Sequence, residues 1–321
     1  MADFDVFNGD ADGLCALLQL RLAEPRDAQL VTGVKRDIQL LERVEAQRGD
    51  RITVLDVSMA KNTADLARIL DAGAEVFYAD HHDAGDKPES ERLTALINEA
   101  PDTCTAMIIN GHLRGRFAAW AVVGAFGDNL RKSALHLAQS LDLTAEQTEK
   151  LENLGIYLNY NGYGESIADL HFAPEELFRL MLPFEHPLEF IEGAGRDNFE
   201  RLEQGYLADM TAAQAIEPAV CDAGTAAFIF PNAAWARRVS GVFSNDLVNR
   251  HPDRAHAVLT EKSNGNYLIS VRAPLNNKTG AVDLCKQFPT GGGRAAAAGI
   301  NDLPADQYDE FIARFQAFYG R

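Results

Sequence analysis

The sequence predicts an α/β protein: a mainly parallel sheet flanked by helices, then a smaller mixed α/β C-terminal domain across a cleft. Three observations predict it. Short apolar runs alternate with helical patterns early in the chain, acidic and imidazole side chains stand directly behind three of those runs, and the alternation changes character beyond residue 185. Strand followed by helix, repeated, calls for parallel pairing, because parallel neighbours need a crossover between them.

Taken in order, strands are expected at 4–7, 29–33, 52–56, 75–79 and 94–97, with helices at 14–22, 38–46 and 63–72. From Thr105 to about Leu180 the apolar spacing is mostly helical, broken by a polar, aromatic loop at Asn159-Tyr160-Asn161-Gly162-Tyr163-Gly164. A second region begins between 185 and 225. It carries strand-like runs at 226–230, 255–260 and 267–272, a helix at 241–249, and a hairpin turn at Ser263-Asn264-Gly265-Asn266 marked by its Asn-Gly pair. A helix at 281–286, the run Gly291-Gly292-Gly293-Arg294, alanines and a terminal helix near 305–319 complete it. A chain of 321 residues exceeds one comfortable core. The expected division is 1–190, a connecting segment at 191–224, and 225–321.

Hydrophobic residues make up 46% and charged ones 24%, a soluble globular composition. No run approaches the roughly 20 apolar residues of a membrane span. Met1-Ala2-Asp3-Phe4-Asp5 lacks the basic and apolar regions of a secretory signal, so a cytoplasmic protein is expected. Cys15, Cys104, Cys221 and Cys285 form no Cys-x-x-Cys pair, which reads as buried free thiols and no structural zinc. The net charge of −17, from 47 acidic and 30 basic residues, works against tracking a long polyanion and favours a short phosphorylated substrate.

Ligands of open α/β sheets bind beyond the carboxyl ends of the strands. Asp10-Ala11-Asp12-Gly13 comes after the first strand, and its two carboxylates share a face when extended. Gly13 permits the turn into a helix whose amino terminus favours anions. Asp56 ends the third strand and Asp80-His81-His82 comes after the fourth. Taken singly, Asp-x-Asp-Gly reads as a solvated turn and Asp56 as a helix cap. Asp80-His81-His82 alone reads as either a metal site or a polar loop. Together, at successive strand ends, they point to one divalent-metal site for phosphate chemistry. Such hydrolysis needs an activated water and neutralised phosphoryl oxygens, which two ions about 3.5–4 Å apart supply. Oxygen donors with some imidazole suit manganese, magnesium or iron.

Asn8-Gly9-Asp10-Ala11-Asp12-Gly13, Asp56-Val57-Ser58, Asp80-His81-His82 and Gly124-Ala125-Phe126-Gly127-Asp128 resemble, in order, the four motifs of the DHH phosphoesterase family. Gly291-Gly292-Gly293-Arg294-Ala295-Ala296-Ala297-Ala298-Gly299 resembles the DHH-associated C-terminal motif. The resemblance spans nearly the whole chain and is to the RecJ-like and oligoribonuclease-like branch. It implies a manganese enzyme, with magnesium as a substitute, that hydrolyses phosphodiesters through a hydroxide held on the metal. Asp10 and Asp56 would hold one ion, and Asp12, Asp56, His81 and Asp128 the other, with Asp56 bridging. His82 would face the substrate phosphate as donor or acid. Two residues depart from the pattern: Val6 stands where many members have a ligating histidine, and Arg294 where histidine is usual. Arginine keeps phosphate affinity but cannot shuttle a proton near neutrality.

On the substrate side, Gly291 to Arg294 reads as a phosphate cradle or, alone, as a flexible turn. Arg272 resembles the family's Ser-x-Arg strand and reads equally as a rim ion pair. Lys35 and Arg36 either line the cleft or start a solvated helix. Tyr157, Tyr160 and Tyr163, around Asn159 and Asn161, either stack bases or pack against a helix. The expected substrate is a short single-stranded oligonucleotide, a dinucleotide or a nucleoside phosphate, cleaved to mononucleotides. The competing readings are a pyrophosphate or phosphoadenosine-phosphate phosphatase and a nucleotide sensor with weakened catalysis. No phosphate loop of the Gly-x-x-x-x-Gly-Lys type and no Gly-x-Ser-x-Gly nucleophile elbow is present.

Overall fold

β1 (Asp3–Phe7) has four consecutive buried residues, the mark of a central strand covered on both faces. The structure, a computed structural model, describes residues 1–320. Next come α1 (Ala11–Ala23), β2 (Gln29–Val31), β3 (Arg51–Leu55), α2 (Thr63–Asp71), β4 (Glu75–Asp80) and β5 (Leu93–Ile97). All five strands pair in parallel, in the order β2-β1-β3-β4-β5. β2 and β3 lie on opposite sides of β1, so the crossover direction reverses there and a crevice opens at the carboxyl ends of β1 and β3.

The first half of the chain then turns helical, through α3 (Thr105–His112), α4 (Ala118–Gly127), α5 (Arg131–Ala138), α6 (Ala145–Asn161), α7 (Pro174–Met181), α8 (Pro187–Glu192) and α9 (Arg196–Gln214). Every residue of α4 is buried, as expected of a helix apolar all round. One apolar cluster joins Leu40, Leu41 and Val44 with Ile52, Val54, Leu66, Ile69 and Tyr78. Arg21 of α1 donates to both oxygens of buried Asp5 and to Thr53 Oγ1, so this buried ion pair has its hydrogen bonds met.

α4 and α6 meet through glycines. A Cβ on Gly127 would stand 2.2 Å from Ala11 Cβ and 2.8 Å from the Gly155 carbonyl oxygen. Neither neighbour is a flexible side-chain tip, so Gly127→Ala is expected to destabilise the protein by about 1–3 kcal/mol. Urea denaturation would read this, and an unchanged midpoint would contradict it. The contact matters because Gly127 immediately precedes Asp128.

The chain divides into two compact units, Met1–Gln204 and Gly205–Arg321. Residues 191–224, read from the sequence as a connection, hold the end of α8, all of α9 and β6 (Val220–Cys221). The second unit continues with β7 (Thr225–Phe230), α10 (Ala234–Arg250), β8 (Ala255–Glu261), β9 (Tyr267–Arg272), α11 (Ala281–Cys285), β10 (Gly291–Gly293), β11 (Ala297–Leu303) and α12 (Tyr308–Tyr319). Its six strands run in the order β10-β11-β9-β8-β7-β6, with β7 and β8 parallel across the α10 crossover and the other pairs antiparallel. Phe311 and Phe315 of α12 close one core with Leu259, Ile269, Val271 and Ile300.

Three expectations are corrected. Residues 38–46 make only a short 3-10 turn, Leu40–Arg43, instead of a helix. The side chain of Asn62 bonds Leu41 N and Ile38 O, and Arg68 takes the carbonyls of Leu41 and Val44, so side chains replace the helical ladder. Asn159-Tyr160-Asn161 is the last turn of α6, and the loop starts only at Gly162. Cys221 is exposed, whereas Cys15, Cys104 and Cys285 are buried; all four are free. Among the described residues no helix is long and apolar enough to cross a membrane.

Candidate metal centre

Asp10 leaves β1 as the N-cap of α1, its Oδ1 accepting from Asp12 N at 3.0 Å and Gly13 N at 3.2 Å. Gly13 is required for this entry, since a Cβ there would lie 2.2 Å from the Asn8 carbonyl oxygen. Asp12, in the first turn of α1, is buried and reaches the amino terminus of α3. Thr105 N donates to its Oδ2 at 2.8 Å and Ala106 N to its Oδ1 at 2.7 Å. Thr105 Oγ1 reaches Asp56 Oδ1 at 3.2 Å. Asp56 ends β3 with φ of 59°, a left-handed conformation that aspartate tolerates better than most residues. Asp128 caps the C-terminus of α4.

His81 is the hub. A carbonyl only accepts, so the 3.1 Å contact of His81 Nδ1 with the Thr103 carbonyl oxygen puts the proton on Nδ1. Nε2 then presents its lone pair to Asp56 Oδ1 at 3.5 Å, Asp12 Oδ2 at 3.8 Å and Asp128 Oδ2 at 3.8 Å. Two ligands each about 2.1 Å from one ion stand roughly 3.0–3.5 Å apart, for octahedral to tetrahedral angles. The separations from His81 Nε2 are slightly wider, and the second nitrogen of the histidine is anchored as metal-binding imidazoles are.

Asp56, His81 and His82 also place ligand atoms within 4.8 Å of one another. Nδ1 of the partly exposed His82 ring lies 2.8 Å from Oδ1 of the fully buried Asp80 and 3.8 Å from Asp56 Oδ1, as far as Asp12 and Asp128 stand from His81 Nε2.

The charges favour a cation. Asp10 pairs with the Lys35 ammonium, Asp12, Asp56 and Asp128 face the His81 imidazole, and Asp80 bonds His82. Like charges about 4 Å apart cost about 4 kcal/mol at an effective dielectric near 20. Burial, then the neighbouring charges of Asp12, Asp10, Asp80 and Asp128, push the Asp56 carboxyl well above its usual range. Burial likewise raises Asp128, against the pull of Lys35. Asp10 behaves oppositely: burial works to raise it, but Lys35 outweighs this and holds it below the usual range. A divalent ion among Asp56, His81 and His82, with Asp12 and Asp128 beside His81, would answer this excess of negative charge.

Lys35 Nζ lies 2.5 Å from Asp10 Oδ2 and 2.8 Å from Asn159 Oδ1, with the Tyr163 ring 5.4 Å away. Sequence reasoning placed Lys35 near the cleft but did not pair it with Asp10. It also gave no role to Asp80, Asn159 or Thr105. Of these only Asp80 carried a signal, as the first residue of its tripeptide; the others depend on contacts 49 to 124 residues apart.

The remaining candidates fall as follows. Val6 is fully buried inside β1. Arg36 is exposed in the turn after Lys35. Tyr157 and Tyr160 are core residues, Tyr157 against Phe199 and Tyr160 bonded to His171, which removes them as base-stacking platforms. In the second unit, Arg272 donates to Asn245 Oδ1 and Ser270 Oγ. Gly291, Gly292 and Gly293 form an edge strand against β11 in place of a flexible turn. Gly291 N and Arg294 N are bonded to Phe288 O and Ala297 O, so at least these two expected cradle donors are taken. Arg294 itself is exposed.

No family model and no curated protein matches the chain. Solved structures do. A RecJ exonuclease bound to manganese aligns at a TM-score of 0.65 and 18% identity, over 100% of this chain and 90% of that one. RecJ in complex with Mn2+ from Thermus thermophilus aligns at 0.59 and 16% identity, over 99% of this chain and 52% of that one. The pGpG-specific phosphodiesterase PggH from Vibrio cholerae aligns at 0.58 and 16% identity, over 99% of this chain and 100% of that one. Both sheets of this chain thus belong to one known architecture, the two-domain α/β fold shared with RecJ and PggH.

Proposed function

We propose that this protein is a divalent-metal-dependent phosphodiesterase that hydrolyses short oligonucleotides or dinucleotides to mononucleotides, with manganese as its ion and magnesium as the substitute. One observation carries the reading: the His81 Nε2 lone pair faces Asp12, Asp56 and Asp128 at 3.5–3.8 Å, at the switch point of a parallel sheet. Its fold neighbours include a manganese-bound exonuclease and a phosphodiesterase specific for pGpG, the latter aligned over its full length. The net charge of −17 favours the short end of that substrate range.

When bound, the ion supplies an acidified water and neutralises charge on the phosphoryl oxygens. Asp12, Asp56, His81 and Asp128 would hold it. Asp80 fixes the His82 ring through Nδ1, so that Nε2 is aimed to hydrogen-bond the substrate phosphate or protonate the leaving oxygen. Arg294 and Arg36, both exposed, are assigned to further phosphates.

The test is a substrate panel with manganese: a 5′-phosphorylated dinucleotide, a pentamer, a long single strand, phosphoadenosine phosphate and pyrophosphate. Mononucleotide release should be fastest from the dinucleotide. Preference for pyrophosphate or phosphoadenosine phosphate would move the protein to the phosphatase reading, and no turnover with any divalent ion would remove the enzyme reading.

A further inference from the structure

We propose that Lys35 is a built-in cation of the reaction centre: the chain binds a single divalent ion, at Asp12, Asp56, His81 and Asp128, and the Lys35 ammonium supplies the second positive charge to the substrate phosphate. This deepens the function proposed above and rests on it for the identity of the substrate.

Three of the roughly four acceptor sites of Asp10 are committed. Oδ1 accepts from the backbone N–H groups of Asp12 and Gly13, and Oδ2 from Lys35 Nζ at 2.5 Å. A second ion on Asp10 would have to share Oδ2 with an ammonium, placing two cations in contact. β1 offers no further ligand to such an ion at Val6, which is apolar and fully buried.

Lys35 is also held as a positioned group, unlike a mobile surface lysine. Its backbone N–H donates to the Gly162 carbonyl oxygen at 2.8 Å, and its own carbonyl oxygen accepts from Asn8 Nδ2 at 3.3 Å. Nζ is gripped by Asp10 and by Asn159 of α6. An ammonium has three N–H donors, and the carboxylate and amide oxygens take two of them. Among the described residues no protein acceptor is bonded to the third, while the side chain keeps 23% of its surface exposed. That donor is the one available to a phosphate oxygen. A fixed charge-assisted donor needs no reorganisation during reaction, just as a bound ion needs none.

The experiment counts ions first. Wild-type protein dialysed against manganese and analysed by elemental mass spectrometry should carry one manganese per chain; two per chain, or none, would overturn the proposal. Inorganic phosphate is then titrated into the manganese-loaded protein. Lys35→Met should retain one manganese and lose phosphate affinity by about 10- to 100-fold, the scale of one charge-assisted hydrogen bond. Equal phosphate affinity in the two proteins would overturn it. Should Lys35→Met fail to fold, Asn159→Ala, which frees one donor and loosens the ammonium, serves the same titration. Neither readout uses turnover, so an inactive wild type with one ion and Lys35-dependent phosphate binding would sink the hydrolase reading and leave this one standing.

Discussion

Asp56→Asn is expected to lower turnover by about 10^3-fold or more, the scale for removing a preorganised charge-stabilising group. Asparagine is the informative replacement because Asp56 sits at φ of 59°. Asparagine tolerates that left-handed geometry, whereas alanine adds backbone strain to the lost charge. The variant has a second, opposite signature. Without metal it should melt at a higher temperature than wild type, because the carboxylate removed is the one its neighbours repel. With manganese the order should reverse. A ligand at 100 times its Kd stabilises the native state by about 2.7 kcal/mol, and the variant forgoes that gain. Melting curves with and without manganese, beside kcat, decide the matter. Full turnover in the variant would exclude Asp56 from the centre. A wild type that binds nucleotide without turning it over, and a variant altered only in affinity, would mark a sensor.

The second large effect is expected at His82. His82→Ala should reduce kcat by about 10^2- to 10^4-fold, the range for loss of a positioned acid or base, with manganese affinity unchanged. Asp80→Asn should act through the same ring and cost less, about 10- to 100-fold, as partners of functional imidazoles do. The two variants together separate proton donation from ligation. Loss of manganese binding in His82→Ala would make His82 a ligand and displace Asp12 or Asp128 from the set described above.

Much of this centre is local in origin and legible in the chain alone. A strand is recognised by a few apolar residues, and the residue after its last apolar position must sit at the strand's end. That is why the sequence names Asp10, Asp12, Asp56, His81 and His82, and why they lie together at the ends of β1, β3 and β4. Asp128 is reachable only through the motif resemblance, since a residue capping α4 has no intrinsic tie to a strand end 72 positions earlier. Periodicity fails where side chains usurp backbone hydrogen bonds, as Asn62 and Arg68 do at 38–46. It fails too at Asn159-Tyr160-Asn161, where polar residues end a helix because each asparagine has a tertiary partner: Lys35 for Asn159, His171 and Phe172 for Asn161.

From residue types and their spacing came the α/β class, the acid-rich strand ends and the expectation of a short anionic substrate, because propensity, period and charge are properties of neighbours along the chain. Folding decided the rest. It chose which of two adjacent histidines is anchored on the Thr103 carbonyl and which on the Asp80 carboxylate. It also set a lysine against Asp10. Those choices depend on Thr103, Thr105 and Asn159, residues remote in sequence whose distances to the site exist only once the chain has packed.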